Sequence, residues 1–355
     1  LIGAGQIIAN YGGLTRTPSG TISVIAGTPS QVRVETAVDG SGTIVPSQSL
    51  PAGNSLTAYA ITRDASNNFV ANVAASSWSL QSTTGGIVSG DLVPSGDSKS
   101  AIFTGHSAGS TQIHATSGAL TTTNSGTITV ISGTATRVKF AAQPSSTTSG
   151  AILSPVTVQI KDALGNNVSS AGITVSLTLI GTGHLFGTIS QLTNATGLAT
   201  FNNLSIDTVG SKNIIASSSG LTSDTSSAFT ISPGAPKKLI FVQQPTSTNT
   251  NITIAPPATI QVQDSLGNSV STSGISVSVA KATGNSGNLS GTTTQLTNTS
   301  GLATFNDLSF NATGSKQLVA TSSGLTSATS NLFTISDFSI TSSATGTGTI
   351  SPLGV

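Results

Sequence analysis

The chain has no cysteine, which excludes disulfides, thiolate metal sites and cysteine nucleophiles together. Methionine is also absent, and tryptophan occurs once. Charge is nearly as scarce, since Asp, Glu, Lys and Arg make up 6% of the 355 residues, against about 25% in an ordinary soluble protein. With 12 basic and 11 acidic side chains the net charge is +1. There is no basic stripe to follow a phosphate backbone, so nucleic acid is not an expected partner. No apolar run is long enough for a membrane helix and no leader peptide is recognisable. Lacking an initiator methionine, the chain reads as a processed product or a piece of something longer. Ser, Thr, Asn and Gly are abundant instead, with 39 glycines. A surface of neutral hydroxyls and amides suits the outside of a cell.

What is present is a repeat. QLTNATGLATFNNLSI at residues 191–206 returns as QLTNTSGLATFNDLSF at 295–310, a step of 104 residues. Helical solenoids and leucine-rich repeats recur every 20 to about 50 residues, so a period near 100 matches one small β-sandwich per copy. Residues 133–232 and 235–336 are close copies, and 27–131 is a more distant one. The expected division is three immunoglobulin-like units at 25–131, 132–232 and 233–336. Residues 337–355 would begin a further β module.

Residues 1–24 extend the pattern. GAGQIIANYGGLTRTPSGTISV at 3–24 aligns without gaps on GSTQIHATSGALTTTNSGTITV at 109–130. They are therefore expected to be the last two strands of an incomplete unit. A lone hairpin is marginal in water, so its apolar face needs a cover. Strand donation from another copy would supply one; so would further residues of a longer chain, which is the favoured explanation.

Within the second unit VTVQIK and ITVSLTL alternate apolar and polar residues, as half-buried strands do. Turn chemistry (DALGNN, NATG, SSGLTS) separates about seven such runs. They lie near residues 137–142, 156–161, 173–179, 184–192, 198–205, 212–217 and 228–232. The inward positions are Val156, Val158, Ile160, Val175, Leu177, Leu198, Phe201, Leu204, Ile214 and Phe229, with Phe305, Leu308 and Phe333 as counterparts in the third unit. Trp78 is expected in the core of the first unit rather than stacked on a sugar. The linkers at residues 26–29, 132–134 and 232–236 are short, and two contain proline. The fold class is thus all-β, tandem immunoglobulin-like sandwiches forming an extended, semi-rigid rod.

The Asp-x-x-Gly-Asn turns (Asp162, Gly165, Asn166; Asp264, Gly267, Asn268) and Gly-Leu-Ala-Thr-Phe (197–201 and 301–305) resemble the bacterial Ig-like repeats of invasin/intimin-type surface proteins. The likeness is close over 133–336 and loose over 27–131. It implies an extracellular stalk, adhesin or cell-surface fibre.

No pair of carboxylates suggests acid/base chemistry, the Gly-x-Ser-x-Gly at 105–109 (GHSAG) does not stand in the strand-to-helix context of a hydrolase elbow, and His106, His114 and His184 have no ligand spacing. An enzyme is not expected, nor a cofactor. Asp64, Asp162 and Asp264 recur once per unit. A turn role explains them, and calcium between units is the sharper alternative. Among the Asn-x-Ser/Thr sequons, Asn194 and Asn298 share one loop and are the glycosylation candidates. The expected function is a non-enzymatic structural component of an extracellular filament or cell-surface fibre, for which head-to-tail polymerisation by strand complementation is one route. The alternatives are an adhesin stalk with its tip elsewhere and a spacer in a secreted polysaccharide-degrading enzyme. Expected partners are copies of the chain itself and, for a stalk, host-surface or matrix glycans.

Overall fold

Periodicity of two along these segments dictates strands, and the computed structural model, which describes residues 2–337, is built from them. Among those residues the one helical element is a 3-10 turn, Ser89–Asp91. The tail that was expected to open a further module lies outside the described residues from 338 onward.

In the second unit two layers face each other, linked along one side by Leu221–Thr225, which runs antiparallel to Gly210–Ser218 and parallel to Ala135–Ala142. One has the order Ala135–Ala142, Val156–Asp162, Leu198–Phe201, all antiparallel. The other runs Thr147–Thr148, Phe229–Ser232, Gly210–Ser218, Thr174–Ile180, Ser190–Leu192. Strands distant in sequence meet in each sheet, and Thr147–Thr148 lies parallel to the final strand. That is the order of an immunoglobulin-type sandwich. The third unit repeats it, with Lys238–Gln243, Ala258–Gln263 and Leu302–Phe305 in one sheet. In the opposite layer Ser276–Lys281 pairs with Leu318–Thr321 and Thr294–Leu296, and Phe333–Ser336 pairs with Thr248–Asn249 and Gly314–Lys316.

The first unit differs in its edge strands, one of which, Phe69–Asn72, is added beside Ser55–Asp64. Leu92–Pro94 pairs with Ser100–Thr104, extending the sheet of Pro29–Glu35 and Ser55–Asp64. Ser190–Leu192 and Thr294–Leu296 instead cross to the opposite sheet.

Each unit has its own hydrophobic core. Nine of the ten inward positions read from the second unit are buried, each such side chain contributing about 2 kcal/mol by leaving water. Leu198 is the exception: it is half-buried, and Ala199 at 0% exposure takes the inward place. Leu198 and Phe201 differ by three, so a strand cannot point both inward. Trp78 is half-buried against the core of the first unit, its Nε1 donating to Ser98 O at 3.0 Å.

The run expected as one strand over 184–192 is two short ones, Leu185–Phe186 and Ser190–Leu192. Gly187 breaks it, at φ +101° and so close to Asn203 that a Cβ would lie 2.3 Å from its carbonyl oxygen.

Gly3–Gly5 and Ile22–Val24 form an antiparallel pair with Gly3 opposite Val24. The same pairing sets Gly109 opposite Val130 in the first unit. Ile128–Ile131 also takes Gln48–Pro51 along its other edge. Ile22 and Val24 have no such neighbour among the described residues and are 46% and 55% exposed.

Candidate functional site at the interunit junctions

An aspartate turn recurs once in each unit. Asp162 ends its strand, and its Oδ2 accepts from Gly133 N–H of the linker at 2.9 Å. Its Oδ1 accepts from Asn166 N–H at 2.8 Å, and Asn166 Nδ2 donates to Oδ2 at 2.9 Å. Asp264 repeats the set with Gly234, Leu266 and Asn268. Asp64 does so with Gly27, Ser66 and Asn68. The turn requires a left-handed residue, supplied by Gly165 (φ +94°), Gly267 (φ +92°) and, in the first unit, Asn67 (φ +69°).

The asparagine that closes each turn also reaches the preceding unit. Asn166 Nδ2 donates to His106 O at 3.0 Å, while Ala108 N–H donates to Asn166 Oδ1 at 3.0 Å. Asn268 grips Asp207 O at 2.9 Å and Val209 N–H at 3.3 Å. Both ends of one planar amide thus bind the backbone of a neighbouring unit, at equivalent places in two successive junctions.

The loop that receives Asn268 is tied down from beneath by a buried lysine, and the third unit repeats that lysine. Lys212 is 1% exposed and Lys316 is 0% exposed. Lys212 Nζ donates to Thr182 O, Thr182 Oγ1 and Val209 O at 2.7, 3.0 and 3.1 Å. Lys316 Nζ donates likewise to Ser286 O, Ser286 Oγ and Thr313 O. An ammonium in the interior is tolerable because three oxygens replace its water. Val209 therefore links the buried lysine of one unit to the turn of the next.

A histidine–aspartate pair stands beside each receiving loop. His106 Nδ1 lies 2.7 Å from Asp91 Oδ1, and His184 Nδ1 lies 2.9 Å from Asp207 Oδ2. The remaining histidine, His114, bonds Asn124 Oδ1 away from the junctions.

Hydrogen bonds favour the ionised form of Asp64, Asp162, Asp207 and Asp264. Asn68 and the Gly27 N–H lower Asp64 to about 2, and the His184 N–H and ring lower Asp207 to about 2. For Asp264 burial opposes the charged form, but Ser149, Asn268 and Gly234 outweigh it and the group falls to about 2. Asp162 is lowered against the same opposition by Asn166 and Gly133.

Calcium would need those same oxygens. At Asp64, Asp162 and Asp264 both carboxylate oxygens already accept N–H donors, which a cation must displace. Among the described residues no cluster of three or more His, Asp or Glu comes together. Asn194 and Asn298 are exposed. Asn194 Oδ1 closes its turn by accepting from Thr196 N–H and Leu198 N–H, and Asn298 Oδ1 from Ser300 N–H and Leu302 N–H.

No family model matches the sequence, and no curated protein matches it. Several solved structures are similar to the chain at low identity. The chain is similar to FdeC, an Escherichia coli adhesin, at 18% identity over 88% of this chain and 100% of that one, with a TM-score of 0.36. It is similar to the D00-D0 domain of intimin at 16% identity, over 56% and 98% of the two chains, TM-score 0.33. A β-glycosidase from Bacteroides vulgatus aligns at 12% identity over 56% of this chain and 24% of that one, TM-score 0.23. Fold does not fix function, which has to be argued from the junctions.

Three sets of residues there escape the sequence reading. Asn166 and Asn268 stand inside the quoted turn motif, but nothing in a sequence shows that they bind the next unit. Ser149 is one serine among many. Lys212 and Lys316 left a signal: each occupies an inward position of an alternating strand, 104 residues apart.

Proposed function

We propose that the chain is a non-enzymatic structural array, a rod of Ig-like units in an extracellular filament or cell-surface fibre. The observation that carries this reading is the pair of amide grips by Asn166 and Asn268, which restrain two successive junctions in the same way. An array whose successive units are joined by the same amide contact is suited to work through length and stiffness. The sparse charge and the hydroxyl-rich surface support an extracellular setting.

Small-angle scattering on the monomer tests it. The expected result is a rod of about 30–40 Å per unit, and Asn166→Ala with Asn268→Ala should shorten the apparent length by letting the junctions bend. A compact particle would refute the reading.

Head-to-tail joining by strand complementation is the finer form of the proposal. Its support is the Gly3–Gly5 and Ile22–Val24 pair, which keeps the register of a complete unit beside an open edge. Ile22→Lys with Val24→Lys should abolish chain-to-chain joining seen by electron microscopy; fibres that persist would exclude this route.

A further inference from the structure

The sides of the three sandwiches are protected to different degrees. In the first unit the edge strand Leu92–Pro94 carries a proline, and exposed Asp97 and Lys99 follow it. The same turn lies against the opposite sheet's edge strand, Ser77–Gln81, through Trp78 Nε1 to Ser98 O. Proline and charge are the usual guards of exposed strand edges, because they deny an incoming strand its partners.

The second and third units have no such guard. Ser190–Leu192 and Thr294–Leu296 each end the sheet they belong to. No Asp, Glu, Lys or Arg occurs from 185 to 206 or from 282 to 306. Thr193 N–H donates to Ile173 O, and Leu177 N–H donates to Ile189 O. Backbone groups at odd positions therefore face the sheet, and those of Ser190 and Leu192 face outward. In the third unit Thr297 N–H to Ile275 O and Val279 N–H to Thr293 O turn Thr294 and Leu296 outward in the same way. Leu192 is 61% exposed, with Ile189 at 43% on the same edge, and Leu296 is 64% exposed.

We infer that Ser190–Leu192 and Thr294–Leu296 are lateral docking edges, and that their partner is the same edge on a second copy of this chain. The inference rests on the structural-array reading and gives it a place of contact. Both edges carry Gln-Leu-Thr-Asn, so antiparallel pairing sets like against like. Such self-pairing is penalised when the strands carry charge and is free of that penalty here. A charged partner would gain nothing from this neutral edge. Because each chain has two edges, a copy joined at one leaves the other open, and rods can gather side by side.

Sedimentation velocity over a wide concentration range tests the proposal with the full chain. The expected result is reversible association that weakens by about tenfold or more in Leu192→Lys with Leu296→Lys. Ile102→Lys, an exposed position inside a sheet of the first unit, should leave it unchanged, and matching thermal melts would show that all variants fold. Association as strong in the double lysine variant overturns the proposal, as does a monomer at every concentration. Association lost in Ile22→Lys with Val24→Lys but kept in the double variant moves the contact to the open hairpin and also overturns it. None of these outcomes touches the rod itself, which the scattering of the monomer judges separately.

Discussion

Ser149 Oγ donates to Asp264 Oδ2 at 2.6 Å across the second junction and also accepts from Gly234 N–H at 3.2 Å. Ala52 holds the corresponding place in the first unit, since Ala52 N–H and Ser149 N–H donate to the matching carbonyls of Ile131 and Ser232. The first junction therefore has the amide grip without the hydroxyl. Leu266 lies 3.0 Å from where a Cβ on Gly150 would be, and Leu164 stands 3.9 Å from the same point on Gly53. The second junction should be the stiffer. Since the chain has no cysteine, spin labels on introduced pairs report each junction cleanly, and pulsed EPR should give the broader distance distribution across the first. Ser149→Ala should broaden the second, and Ala52→Ser should narrow the first.

Acid should loosen the turns. Asp64, Asp207 and Asp264 are lowered to about 2, so the unfolded chain binds more protons than the folded one below the ordinary carboxylate range. Their stabilisation is complete above pH of about 4 and disappears as pH falls through about 2. Thermal melts should be flat from neutrality to about pH 5 and fall steeply below pH 4. A melting temperature unchanged at pH 2.5 would contradict the assignment.

Gly197 and Gly301 should not accept a side chain. Both have positive φ, and an added Cβ would meet the carbonyl oxygen of Val168 or Val270 at 1.9 Å. The clash is with backbone, so Gly197→Ala should cost about 2–4 kcal/mol in chemical denaturation. Gly220 also has positive φ but has nothing within 4 Å. Gly220→Ala should cost about 1 kcal/mol.

Lys212→Ala should destabilise the second unit by about 3 kcal/mol or more, because it leaves a cavity and strips Thr182 O and Val209 O of their donor. Lys212→Met fills the space but restores no donor, so it should recover only part of the loss. Val209 also receives the turn of the third unit. Both variants should therefore broaden the second junction in pulsed EPR and leave the first alone.

Removing divalent cations should change little. With the oxygens of Asp64, Asp162 and Asp264 accepting N–H donors, EDTA should leave the melting temperature and the junction distances where they were. A drop of several degrees on chelation, reversed by calcium, would place a cation at the linkers after all.

The repeat, the all-β class and most of the core were legible in the amino-acid sequence. Period-two alternation fixes which face of a strand is apolar, as Val156, Val158 and Ile160 show, and the Asp-x-x-Gly-Asn and Gly-Leu-Ala-Thr-Phe turns demand particular residues for backbone reasons that act locally. Gly187 could not be weighed that way, because what breaks the strand there is the carbonyl of Asn203. Nor could the pairing of Ser190–Leu192 with one sheet and of Leu92–Pro94 with the other, since alternation says which face is buried and not which neighbour lies alongside. The junctions were least visible of all. Asn166, Asn268, Ser149 and Lys212 act on atoms 30 to 115 residues away, and only the tertiary structure brings an amide of one unit to the backbone of another. The sequence by itself determined what each unit is; how one unit holds the next was decided in three dimensions, because hydrogen bonds between units depend on where the loops come to rest.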